Sequence, residues 1–141
     1  MTEPAATAGL DRYTGYQHLK FDRPSERVLR ITLDRPGSMN SLNWEAHGEL
    51  TNVWKIVDQD PDTNVAIIRG AGPAFSAGGD FSMVERIMND YAMQAAALKE
   101  FRELCYNMID CSKPIVSAIH GPAVGAGLAA ALLADVSIAA K

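Results

Sequence analysis

Residues 65–81, VAIIRGAGPAFSAGGDF, read as a strand, a bare bend and the start of a helix. VAIIRGA is a short continuous apolar run of strand type. Phe75 and Ala77 suit a packed interior, yet Gly78 and Gly79 strip side chains from the middle of it. Adjacent glycines lose much backbone freedom on folding, so they mark an unusual φ/ψ or a close approach to the main chain. Residues 113–134, KPIVSAIHGPAVGAGLAAALLA, repeat the arrangement: strand-like KPIVSAIHG, small-residue GPAVGAG, then a helical VGAGLAAALLA.

The flanking sequence extends this pattern. RVLRITL (27–33) alternates Leu29, Ile31 and Leu33 with a mixed face and predicts a strand. A preceding strand is expected over Tyr16–Phe21, with DRPSE (22–26) as a turn in which Pro24 stops it. The loop DRPGSMNSLN leads to a helix over Trp44–Val57, capped by Asn43 or Ser41, with Leu50, Val53, Trp54 and Val57 on one face. One long helix is expected over Met83–Ile109, and DVSIAA begins a further strand. Strands alternating with helices indicate an α/β protein with right-handed β-α-β crossovers. Residues 1–14 read as a mobile tail and residues 15–141 as one core domain. The last strand runs straight into Lys141, so the expectation is a chain that stops inside its fold.

The 141 residues are 48% hydrophobic and 21% charged, with a formal net charge of −4. That composition is globular rather than disordered. A mildly acidic chain without a basic cluster argues against nucleic acid as a partner. The N-terminus lacks the basic and apolar regions of a signal peptide, and the longest apolar stretch, 123–134, is too short to cross a bilayer. A cytoplasmic protein with no membrane partner is expected. Cys105 and Cys111 read as reduced, partly buried thiols, and no metal site is visible. His47 reads as a surface or interface residue and His18 carries no signal. Met83, Met88, Met93 and Met108 read as helix packing, and the charges from Glu85 to Glu103 as a solvated helix face.

Both bare bends lie where a strand gives way to a helix. Helix starts leave backbone N–H groups unpaired and partly positive. Two such bends aimed at one point can donate to a single oxygen that becomes negative during reaction, an oxyanion hole. Each preorganised donor of that kind contributes about 2.7–4 kcal/mol. Small residues there let a substrate reach the N–H.

Three segments in order, ITLDRPGSMNSL (31–42), AIIRGAGPAFSAGGDFSMV (66–84) and KPIVSAIHGPAVGAGLAAALLADVSIA (113–139), closely resemble the N-terminal half of the enoyl-CoA hydratase/isomerase (crotonase) superfamily. The likeness covers about residues 16–141. It implies a crotonase-like spiral of ββα units, truncated here, and assembly as a homotrimer or hexamer when full length. It also implies an acyl-CoA substrate, coenzyme A arriving as part of that substrate and no separate cofactor. Carried over by position, the oxyanion donors are the amides of Gly79 and Ala126. Gly79, Asp80, Phe81 and Ser82 would line the thioester and pantetheine, with Ala77 near the adenine, and Met39 and Asn40 would flank the CoA. Asp80 reads as a helix cap, and His120 as a structural hydrogen bond or a polar contact.

One departure bears on the chemistry. A family hydratase carries a glutamate two residues after the last glycine of the second motif; Ala129 stands there and cannot transfer a proton. The family's second glutamate would fall beyond Lys141. The resemblance thus implies an acyl-CoA enzyme of hydratase or isomerase type, with a catalytically silent fragment or pseudoenzyme subunit as the alternative. Carbon–carbon hydrolysis on the same scaffold is a lesser option. GAGLAA (125–130) also matches a dinucleotide-binding turn, but HGPAV separates it from its strand and no acidic residue follows at the required distance.

Overall fold

The computed structural model describes residues 9–141. Five strands, β1 (Leu19–Ser25), β2 (Val28–Leu33), β3 (Val65–Gly70), β4 (Ile115–Ile119) and β5 (Val136–Ala139), form one sheet in the order β1-β2-β3-β4-β5. β1 and β2 are an antiparallel hairpin; every later pairing is parallel. Parallel neighbours need crossovers. These are α1 (Trp44–Asp58) between β2 and β3, α2 (Phe81–Asn89) with α3 (Tyr91–Ile109) between β3 and β4, and α4 (Ala126–Leu133) between β4 and β5.

The core lies between the sheet and the helices. Leu29, Ile31, Ala66, Ile68 and Ile115 point from the strands, and Leu50, Val53, Trp54 and Val57 from α1. Each of the four α1 side chains is fully buried, as the helical spacing requires. Burial of that kind stabilises by ~1.5–3 kcal/mol per large side chain. Asn43, not Ser41, caps α1: its side chain accepts from the Ala46 N–H.

Five sequence expectations need correction. β1 does not stop before Pro24 but runs through it to Ser25, and the turn falls at Glu26–Arg27, with Arg27 at φ +59°. Proline is tolerated there because β1 is an edge strand whose register shifts between Asp22 and Ser25. The helix expected over Met83–Ile109 is two helices that meet at Asp90, whose carboxylate accepts from the N–H groups of Ala92 and Met93. His47 is buried rather than on the surface, with Nδ1 2.5 Å from Glu100 Oε1 and its ring edge-on to Phe101. Glu100 therefore belongs to a packed contact, not a solvated face, while Met88 is 77% exposed rather than part of the helix packing.

The tail expected over residues 1–14 is described only from Gly9, and Tyr13 anchors that part of it. Asp11–Tyr13 form a 3-10 turn and Tyr13 is buried, its hydroxyl donating to Asp60 at 2.8 Å. Asp60 also accepts from Thr63 and Arg23 and pairs with Arg12. Burial would raise this carboxyl, but hydrogen bonds from Thr63, Tyr13, the Asp62 amide and Arg23 outweigh it and hold Asp60 down at about 2.

Candidate active site

Three loops beyond the carboxyl ends of β2, β3 and β4 lie side by side. Residue 42 bridges residue 79 and residue 76 bridges residue 123, both in parallel sense. Phe75 and Ser76 N–H groups both donate to the Pro122 carbonyl, and Val124 N–H donates to that of Ser76 at 2.9 Å. On the other edge, Ala77 N–H donates to Met39, Leu42 N–H to Gly78 at 2.7 Å, and Asp80 N–H to Leu42 at 2.9 Å. The middle loop is thus stitched on both sides.

This stitching explains the bare backbone. Successive peptide groups of an extended segment face opposite edges. Ser76 faces residues 122–124 and Ala77 faces Met39, so the Gly78 carbonyl should turn back toward 122–124. It faces Leu42 instead, because Gly78 sits at φ +83° and reverses the alternation. Gly79 is consequently the bridged residue whose own N–H points away from Leu42, toward the edge along which Ser76 meets Ala123. A side chain at residue 78 is excluded twice over: its Cβ would also lie 2.6 Å from the Val124 oxygen.

Among the described residues neither the Gly79 nor the Ala126 N–H has an acceptor. Ala126 is the first residue of α4, entered from Gly125 at φ +54° with no side-chain cap. Its amide is a free helix-start donor, as the sequence suggests. Gly79 arises differently. It precedes Asp80, the cap of α2, so its N–H is freed by the strand-like bridge and not by a helix start. The two bends touch, since a Cβ on Gly125 would lie 3.8 Å from Gly78 Cα.

The other expected site residues divide by exposure and by what already holds them. Phe81 is 93% exposed at the start of α2, Met39 is exposed at φ +54°, and Ala77 is half-buried. Ser82 is exposed, and its N–H and hydroxyl both donate to Asp80 Oδ1, at 3.0 and 2.7 Å. These bonds, with Arg35 behind them, hold the Asp80 carboxyl below its usual range, so Asp80 is an ionised cap. Asn40 has another job. It is 1% exposed, donates to the carbonyls of Ala71 and Ala74, and accepts from Arg35 N–H. It braces the loops from below. His120 closes β4 with Nε2 2.7 Å from the Gly72 carbonyl, which groups it with the 70–72 turn.

Sequence reasoning missed Ser76, which is fully buried between the loops. Its position between Phe75 and Ala77 in a bend of small residues gave no sign of a polar role. Ala129 is exposed on α4, and the dinucleotide-turn reading is unsupported by geometry, because β4 ends at Ile119 and α4 starts only at Ala126. No described helix is long and apolar enough to cross a membrane.

Known proteins resemble this chain over most of its length. The chain is 40% identical over 116 residues to (E)-benzylidenesuccinyl-CoA hydratase of Thauera aromatica, covering 82% of this chain and 44% of that protein. It is 34% identical over 125 residues to a "Probable enoyl-CoA hydratase" of Mycobacterium tuberculosis, covering 89% and 47%. A crystal structure of an enoyl-CoA hydratase/isomerase from Mycobacterium paratuberculosis superposes with a TM-score of 0.80 at 37% identity, over 86% of this chain and 49% of that one. An enoyl-CoA hydratase from Shewanella pealeana shares the fold at TM-score 0.85 with 21% identity, over 95% and 51%. The chain thus spans about half the length of these relatives. The sequence profile of the enoyl-CoA hydratase/isomerase family matches residues 23–141, and the chain belongs to that family.

Proposed function

We propose that the chain binds an acyl-CoA thioester and stabilises its enolate through the backbone N–H groups of Gly79 and Ala126. The observation that carries this reading is that both amides lack an acceptor where the two bends touch, Gly79 within a loop whose amides at 75–78 and 80 are all paired. An unpaired donor kept from water forfeits a hydrogen bond worth ~1 kcal/mol, and a ligand oxygen seated where the bends meet would supply the acceptor. Negative charge building on a thioester oxygen strengthens both bonds in the transition state, which is how such a pair accelerates α-proton chemistry. Phe81, Ser82, Met39 and Ala77 surround the approach and serve as the thioester and CoA contacts. Calorimetric titration with CoA and with acetoacetyl-CoA tests this. Tighter binding of the enolisable acetoacetyl thioester than of CoA supports it; no heat from a folded sample at millimolar ligand contradicts it.

A second reading, a subunit that binds acyl-CoA without hydrating it, is favoured by one feature. Ala129 supplies no acid or base, Asp80 is committed as a cap and His120 is bonded to Gly72. Loss of enoyl-thioester absorbance on mixing with crotonyl-CoA would dismiss it.

A further inference from the structure

Ser76 sits where the three loops meet, through its hydroxyl and its backbone together. Its hydroxyl donates to the Asn40 carbonyl at 2.7 Å and accepts from the Gly78 N–H at 3.2 Å. Its own carbonyl takes the Val124 N–H, and its N–H goes to Pro122. On the remaining side it abuts α4: a Cβ on Gly127 would lie 2.5 Å from both Ser76 Cβ and Oγ. Gly127 has an ordinary helical backbone, and the three atoms nearest to a side chain there all belong to Ser76. One buried hydroxyl therefore sets the Gly78 kink that turns the Gly79 amide, while its methylene sets how closely the start of α4, and the Ala126 amide with it, approaches that kink.

We infer that Ser76 is a positioning residue that fixes the spacing of the two amides, with Gly127 as its steric counterpart. The inference rests on the proposed enolate-stabilising role of those amides. It assigns Ser76 no contact with substrate; it acts through the Gly78 peptide and through α4.

The test uses acetoacetyl-CoA, whose enolate absorbs in the ultraviolet where the keto form does not, alongside calorimetric affinity for CoA and circular dichroism of each variant. Ser76→Ala is expected to keep its secondary structure and CoA affinity while the enolate fraction falls roughly ten- to a hundredfold, the loss typical of a donor displaced by about an ångström. Gly127→Ala is expected to lose the enolate band too. Ser76→Gly combined with Gly127→Ala removes the steric conflict except for a 3.0 Å approach to the residue 76 carbonyl, and should regain part of the band relative to Gly127→Ala. Should Ser76→Ala fail to fold, Ser76→Cys, which keeps the volume and a weaker donor, takes its place with the same readouts. A single variant at residue 76 with a full enolate band, or a double variant no better than Gly127→Ala, overturns the inference. An unsubstituted chain that binds acetoacetyl-CoA without any enolate band instead overturns the functional reading beneath it.

Discussion

A Cβ at Gly121 would sit 2.0 Å from the Pro73 carbonyl oxygen, whereas one at Gly37 meets nothing within 4 Å. The same residue type thus serves packing in one loop and nothing visible in another. Gly121→Ala is expected to cost about 3 kcal/mol, as overpacking against fixed backbone does, and Gly37→Ala less than about 0.5 kcal/mol, both read from denaturant midpoints. Smallness in the bends was legible from sequence, but its reason was not. Access for substrate accounts for none of Gly78, Gly121 or Gly127, each of which is held bare by a neighbouring loop. Asp60 offers a second check at this scale. A carboxyl held at about 2 when folded, against 3.8 otherwise, binds fewer protons in the native state near pH 3. Its stabilisation, ~2 kcal/mol, is complete above about pH 5 and fades as the pH falls toward 2. Asp60→Asn should remove that acid-side slope and lower stability at neutral pH, checked by urea melts across pH.

Between elements, α1 and α3 are joined by a contact that periodicity hides. His47 and Glu100 lie 53 positions apart, and each reads as a surface residue within its own helix. Only the crossover that lays α3 across α1 brings them together. Glu100→Ala would leave the buried His47 Nδ1 with only a 3.4 Å approach from Thr51, beside an Nε2 that has no partner. Thermal denaturation should register a loss of about 2 kcal/mol, against a negligible change for Lys99→Ala in the exposed pair with Glu103. The division of the expected long helix at Asp90 was missed for a related reason. Asp90 interrupts a background of helix formers, and its capping bonds to residues 92 and 93 are visible only in three dimensions. β1 outran its expected end because an edge strand accepts proline where a central one would not.

For the molecule as a whole, the order of strands and helices followed from alternation, apolar runs and glycine punctuation, whereas the sheet order β1-β2-β3-β4-β5 is one of several that such crossovers allow. What sequence could not supply is the lateral stitching of three loops at one end of the sheet, since it depends on the reversal at Gly78 and on a serine buried between neighbours. That end carries the proposed chemistry; β5 and the adjoining side of α4 present Leu132, Val136 and Ile138 to solvent at the far edge. The chain accounts for about half the length of its relatives, and the proposed oxygen binding rests on two amides within the described residues. The most direct measurement is isotope-edited infrared spectroscopy of an acyl-CoA carrying carbon-13 at the thioester carbonyl. Two hydrogen bonds from Gly79 and Ala126 should move the bound C=O stretch to lower frequency than in water; a bound thioester whose stretch stays at or above its position in water would contradict the account.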